Sequence, residues 1–198
     1  MIRRLLAVIP AVLLPLSAAA QLQPWQVDPA HSAAQFAVRH FGISTVRGVF
    51  NKTTGTVQYD PADPAKTVID VTIDAASVDT RVQARDNDLR SAHFLDVEKY
   101  PTLTFKSKRV EAESKGKLKV TGDLTIHGVT KEVALQVDGP NGPIKDPRGN
   151  EHMGASASTQ INRKDFGVSG SPGVVGDDVV ITIDVEMVRQ AASPPQSK

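Results

Sequence analysis

From Thr67 to Ala75 the chain alternates, with Thr67, Ile69, Val71, Ile73 and Ala75 on one side and Asp70, Thr72 and Asp74 on the other. A side-chain period of two belongs to a β-strand with one buried and one wet face. The pattern returns in Leu118, Val120, Gly122, Leu124 and Ile126, set against Lys117, Lys119, Thr121, Asp123 and Thr125. It returns again in Val133, Leu135 and Val137, in Val179, Ile181, Ile183 and Val185, and in Ala34, Phe36 and Val38. Turn chemistry separates the runs at Asp60-Pro61, Asp63-Pro64, Gly139-Pro140-Asn141-Gly142-Pro143 and Asp146-Pro147-Arg148-Gly149. About eight or nine strands at this spacing predict an all-β sandwich or barrel, and the short connections predict antiparallel meanders.

One segment breaks the period. Thr80 to Ser91 is polar and charged, with Val82 and Leu89 as its apolar points and Asp86 four residues before Arg90. It predicts a short surface helix, N-capped by Asp79 or Thr80 and carrying an Asp86–Arg90 pair. One helix among strands serves as a crossover or as a lid at a barrel end.

The N-terminus reads as an export signal: Arg3 and Arg4, an apolar Leu5-to-Leu16 run, then Ala18-Ala19-Ala20 before Gln21. A membrane span needs about 20 apolar residues, and Pro10 and Pro15 interrupt this run. The expected organisation is a signal peptide over 1–20, a single domain over 21–190 and a disordered tail over 191–198, which holds Pro194-Pro195. There is no cysteine, so the fold rests on its core without disulfides. The formal charge of +1 becomes about −1 once Arg3 and Arg4 are removed. No basic stripe marks a nucleic-acid surface, and no nucleic-acid partner is expected.

Several inward positions are small: Ala34, Gly48, Gly55, Gly122, Ala155 and Ala157. An eight-stranded barrel holds either a side-chain core or one small ligand. Small inward residues favour the ligand, while glycines also mark bends and bulges; parity leaves both readings open. Parity does assign faces. Ala155 and Ala157 share theirs with Met153 and Ile161 and should point inward, whereas Ser156, Ser158 and Gln160 should point outward.

Between the strands stand Trp25-Gln26-Val27-Asp28-Pro29-Ala30-His31-Ser32, Phe36-Ala37-Val38-Arg39-His40, Arg47-Gly48-Val49-Phe50 and Ser77-Val78-Asp79-Thr80. Further on come Phe94-Leu95-Asp96-Val97, Tyr100-Pro101-Thr102-Leu103-Thr104-Phe105, Gly122-Asp123-Leu124-Thr125-Ile126-His127-Gly128 and Asn162-Arg163-Lys164-Asp165-Phe166-Gly167. Each is weak alone, but in this order, from Trp25 to Val188, they strongly resemble the YceI-like family, the polyisoprenoid-binding-protein-like proteins. The resemblance implies a lipocalin-like antiparallel barrel with one short helix, in the bacterial periplasm, as a homodimer with transient membrane contact. Its pore would take an isoprenoid or other long-chain lipid, such as a quinone tail. The candidate ligand contacts are Ala34, Phe36, Val38, Ile73, Leu124, Ile126, Met153, Ala155, Ala157 and Ile161, together with Phe50, Phe94, Leu103, Phe105 and Phe166 from the motifs. Two positions depart from the family pattern: Asp88 stands where histidine is usual, and Leu95 where a second aromatic is.

Two rival functions are a stress-response interaction module and a metal-dependent hydrolase, each with an incidental pore. Gly167-Val168-Ser169-Gly170-Ser171 falls short of a nucleophile elbow, lacking the closing glycine and a strand-to-helix turn, and reads as a turn after Phe166. His31, His40, His93, His127 and His152 show no tight metal spacing, although a cluster assembled by folding stays open. The expectation is a binding protein with no catalytic residue, cofactor or metal.

Overall fold

A computed structural model describes residues 24–189; the expected signal peptide and tail lie outside the described residues. The alternating runs become β1 (Trp25–Val27), β2 (Ala33–His40), β3 (Ser44–Phe50), β4 (Thr53–Gln58), β5 (Val68–Asp74) and β6 (Val78–Asp79). After helix α1 (Gln83–Arg90) follow β7 (Thr102–Ser114), β8 (Lys117–Ile126), β9 (Val129–Lys145), β10 (Glu151–Asn162) and β11 (Val175–Arg189).

Pairing runs β1-β4-β5-β7-β8-β9-β10-β11 and closes with β1 against β11, an eight-stranded antiparallel ring. The remaining strands are continuations: β11 also pairs with β2, β2 with β3, and β3 with β6. Thus β1 and β2 form one pass of the chain, β3 and β4 the next, and β5 and β6 the third. The first and third of these passes are broken for local reasons. Between β1 and β2 stands Pro29, which has no N–H to give a ladder. Between β5 and β6 the Asp74 carboxylate accepts from Ala76 N at 2.9 Å and turns the chain. By contrast β10 and β11 pair without interruption from Glu151↔Arg189 to Asn162↔Asp178.

Helix α1 is shorter than expected, and Asp79 and Thr80 do not cap it. Its N-cap is Val82, without a side-chain hydrogen bond. The Asp79 carboxylate is spent on Arg81 N at 2.7 Å. Asp86, 6% exposed, turns inward and accepts from Thr80 N at 2.8 Å and from Thr80 Oγ1 at 2.5 Å. Arg90 donates to the carbonyls of Ala76 and Val78. The anticipated Asp86–Arg90 surface pair is therefore replaced by two anchors that fasten the helix to β6 and the residues flanking it. An i,i+4 pair forms when both groups face water, and here each finds a nearer backbone partner.

Three groups of buried side chains fill parts of the barrel. Phe50, Val78, Phe94, Leu103, Ile126, Ile161 and Phe166 pack at the end that carries α1, which adds Leu89. Phe105, Val110, Leu118, Val120 and Leu135 lie along β7 to β9. Trp25, Val57, Met153 and Met187 pack beside the β1–β11 seam.

Candidate functional site

Among these clusters runs a cavity of about 280 Å³, with a predominantly apolar wall. That volume falls just below the range of ligand pockets, which span about 300–1,000 Å³. Its walls are the inward rows of the strands. The outward neighbours on β11 (Asp178, Val180, Thr182 and Asp184) are exposed, while Val179, Ile181, Ile183 and Val185 face inward yet are only partly buried. Inward apolar residues of a packed core are covered by one another; Val179, Ile181 and Val185 touch the buried clusters, yet all four also border the cavity.

All fifteen candidate contacts lie on this wall. From β2 and β3 come Ala34, Phe36, Val38 and Phe50; from β5 and β7 come Ile73, Leu103 and Phe105. Strand β8 supplies Leu124 and Ile126, and β10 supplies Met153, Ala155, Ala157 and Ile161. Phe94 and Phe166 enter from the loops at the helix end. Val179, Ile181, Ile183 and Val185 line it too; their parity was readable, although they are not among the candidates. On β10 the faces follow parity: Ser156, Ser158 and Gln160 are exposed, and Ser156 Oγ donates to Asp184 on the outer surface at 2.7 Å.

The inward glycines are a correction to the idea that small residues there make ligand room. A Cβ at residue 48 would run into the Phe36 ring, and one at residue 122 into the Phe105 ring. These glycines seat neighbouring aromatics, and Gly122 also sits across from the irregularity between Ser107 and Arg109. At residue 55 a Cβ would meet the backbone of Asp70 and Val71. Ala155 and Ala157 do border the cavity.

Polar groups meet the cavity sparsely. Arg163, 5% exposed, lines its helix end, but its guanidinium is engaged elsewhere. It donates to the carbonyls of Gly176, Val168 and Val175 at 2.9, 2.9 and 3.0 Å, and to Asp177 at 3.3 Å. The Lys164 ammonium bound to Asp177, with the nearby Arg163 charge, holds that carboxyl below the ordinary range. Arg163 stands in the Asn162–Gly167 motif, and nothing local to that motif announces its burial, which tertiary packing creates. Of the two departures from the family pattern, Leu95 lines the cavity, while Asp88 faces outward and pairs with His93 Nδ1 at 3.0 Å. Ser169 is exposed in an irregular loop after a short 3-10 turn (Arg163–Phe166).

Folding also gathers titratable groups that lie far apart in sequence. Asp28, His31 and Glu186 offer donor atoms all within 4.8 Å of one another. Beside them His152 Nδ1 meets Glu186 Oε1 at 2.8 Å, and its Nε2 lies 3.5 Å from Asp146 Oδ2. Hydrogen bonding to Asp28 raises the His31 pKa, and hydrogen bonding to Glu186 raises that of His152.

Comparison with known proteins gives a consistent picture. The model of the YceI-like domain matches residues 25–187. A UPF0312 protein of Vibrio cholerae is 38% identical over 168 residues, covering 84% of this chain and 88% of its own length. One from Pseudomonas putida is 39% identical over 160 residues, covering 81% and 82%. Among solved structures, Burkholderia cenocepacia BcnA superposes with a TM-score of 0.73 at 27% identity, covering 81% of this chain and 98% of BcnA. The Campylobacter jejuni YceI protein gives 0.68 at 37% identity, covering 77% and 90%. A polyisoprenoid binding domain from Saccharophagus degradans shares the fold, with a TM-score of 0.62 at 15% identity, covering 86% and 100%.

Proposed function

The chain belongs to the YceI-like family, and on that premise we propose that it carries an isoprenoid or similar long apolar chain inside the barrel. The observation that supports this most is the row Val179, Ile181, Ile183 and Val185, inward, apolar, only partly buried and bordering the cavity. The Saccharophagus relative of the same fold is described as polyisoprenoid-binding. Strand β10, with 12 residues, extends about 40 Å at ~3.3 Å per residue. A tilt of roughly 40° leaves about 30 Å along the axis, which suits a linear guest with its polar head left at an end.

Binding, not catalysis, is the chemistry this wall favours. Burying hydrocarbon gains about 0.8 kcal/mol per methylene, but a bilayer offers the lipid the same gain. Net transfer from membrane to barrel is then small, which suits a carrier that must release its cargo. With the Ala18-Ala19-Ala20 site before Gln21, we place this carrier in the periplasm, where the mature protein should begin at Gln21. A protein stripped of lipid should take up a fluorescent prenyl probe at one equivalent and lose it to unlabelled polyprenol. Failure to bind the probe, or displacement by polar metabolites but not by polyprenol, overturns the carrier role. A soluble cytoplasmic form that keeps Met1 overturns the location.

A further inference from the structure

We infer that Asp28, His31 and Glu186 form a binding site for a divalent cation of the zinc class on the outer face of the barrel, across its closing seam. The inference stands apart from the lipid-carrier proposal. Here β11 meets the first pass of the chain, and the ladder is interrupted: Val27 pairs with Met187, and the next pairing is Ala33 with Asp184. Residues 28–32 bow outward across the gap. Glu186 holds them by its backbone, its carbonyl accepting from Asp28 N at 2.8 Å and from Ser32 Oγ at 3.2 Å. Glu186 N in turn donates to Ser32 Oγ at 3.0 Å. The backbone segments that carry the three donors are thus tied to one another, a preorganisation that a site on a bend otherwise lacks.

The donor set is one imidazole nitrogen and two carboxylates, which suits zinc better than an all-oxygen cation such as magnesium. The donor atoms lie within 4.8 Å of one another, whereas tetrahedral donors around zinc sit roughly 3.3 Å apart. Rotation of the exposed His31 and half-buried Glu186 side chains closes that difference. Behind Glu186 stands an orienting shell: His152 Nδ1 meets Glu186 Oε1 at 2.8 Å, and Asp146, fixed by Asn150 Nδ2 at 2.9 Å, faces the buried His152 Nε2. Such outer partners commonly set the orientation of metal-binding carboxylates and imidazoles. Three carboxylates against two histidines leave the cluster negative with neutral imidazoles. On binding, the His31 Nδ1···Asp28 Oδ2 contact of 2.8 Å gives way to coordination, and any proton on the ligating nitrogen passes to water.

The test uses the purified chain, stripped with a chelator and titrated with zinc by calorimetry and with cobalt by visible absorption. One equivalent of zinc should bind and raise the thermal midpoint, and cobalt should show ligand-field bands of a low-coordinate nitrogen–oxygen site. His31→Ala and Glu186→Gln should each weaken binding at least about tenfold and abolish the thermal shift. His93→Ala, which removes a comparable exposed pair with Asp88, should change neither. Absence of saturable zinc binding by the parent protein overturns the site, whatever the variants do. So does binding that survives both substitutions in folded protein, or binding lost equally on His93→Ala.

Discussion

The ring of Phe36 lies across Gly48, its direct partner on the neighbouring strand, in the space a β-carbon there would need. The pair converts a missing side chain on β3 into a seat for an aromatic from β2. Gly48→Val should therefore force Phe36 toward the cavity and against Thr80, whose methyl also borders that space. Overpacking of this kind costs about 1–3 kcal/mol. Chemical denaturation should show that loss, together with weaker uptake of a prenyl probe; an unchanged midpoint would contradict the packing described.

Ala155 lines the cavity, whereas Ser156 points outward to Asp184. A tryptophan brings an aromatic surface of roughly 150–250 Å². Placed at 155 it should fill guest space and abolish probe uptake, leaving the midpoint of the lipid-free protein nearly unchanged. At 156 it should leave uptake intact. Equal uptake by both variants, measured by fluorescence titration, would reject the facing of β10.

Arg163 joins three carbonyls and one carboxylate at the helix end. Arg163→Lys retains the charge but not the planar fork, so buried carbonyls lose their donors at about 1–3 kcal/mol each. The lysine variant should unfold at lower denaturant by about 2 kcal/mol or more. A lysine variant as stable as the parent would show that charge alone suffices.

Asp177 has its pKa lowered, first by the Lys164 hydrogen bond. A depressed carboxyl stabilises the fold above its ordinary value of 3.8 and loses that contribution as pH falls through the depressed value. Asp177→Asn should lower the thermal midpoint at neutral pH, and the gap from the parent should close below about pH 3.8. A gap that stays constant into stronger acid would remove the carboxylate from the stabilising interactions.

The barrel was legible because a half-buried strand writes its facing into every second residue. The period read at Ile69, Val71 and Ile73 is the period that lines the cavity. What stayed hidden depends on which groups meet in space. Asp79 and Thr80 carry good capping side chains, yet the Asp79 carboxylate turns to Arg81 and Thr80 is engaged by Asp86. Gly48 and Gly122 carry no sign of the rings that occupy them. His31 and Glu186 are brought together only when the last strand closes on the first.

Native mass spectrometry of the protein purified without detergent measures the carrier role most directly. The expected spectrum shows one adduct per chain, heavy enough for a long-chain isoprenoid or similar lipid and released by organic solvent. Bare protein that also refuses polyprenol on incubation, or a stoichiometric polar metabolite in its place, would contradict the role of the cavity as a lipid site.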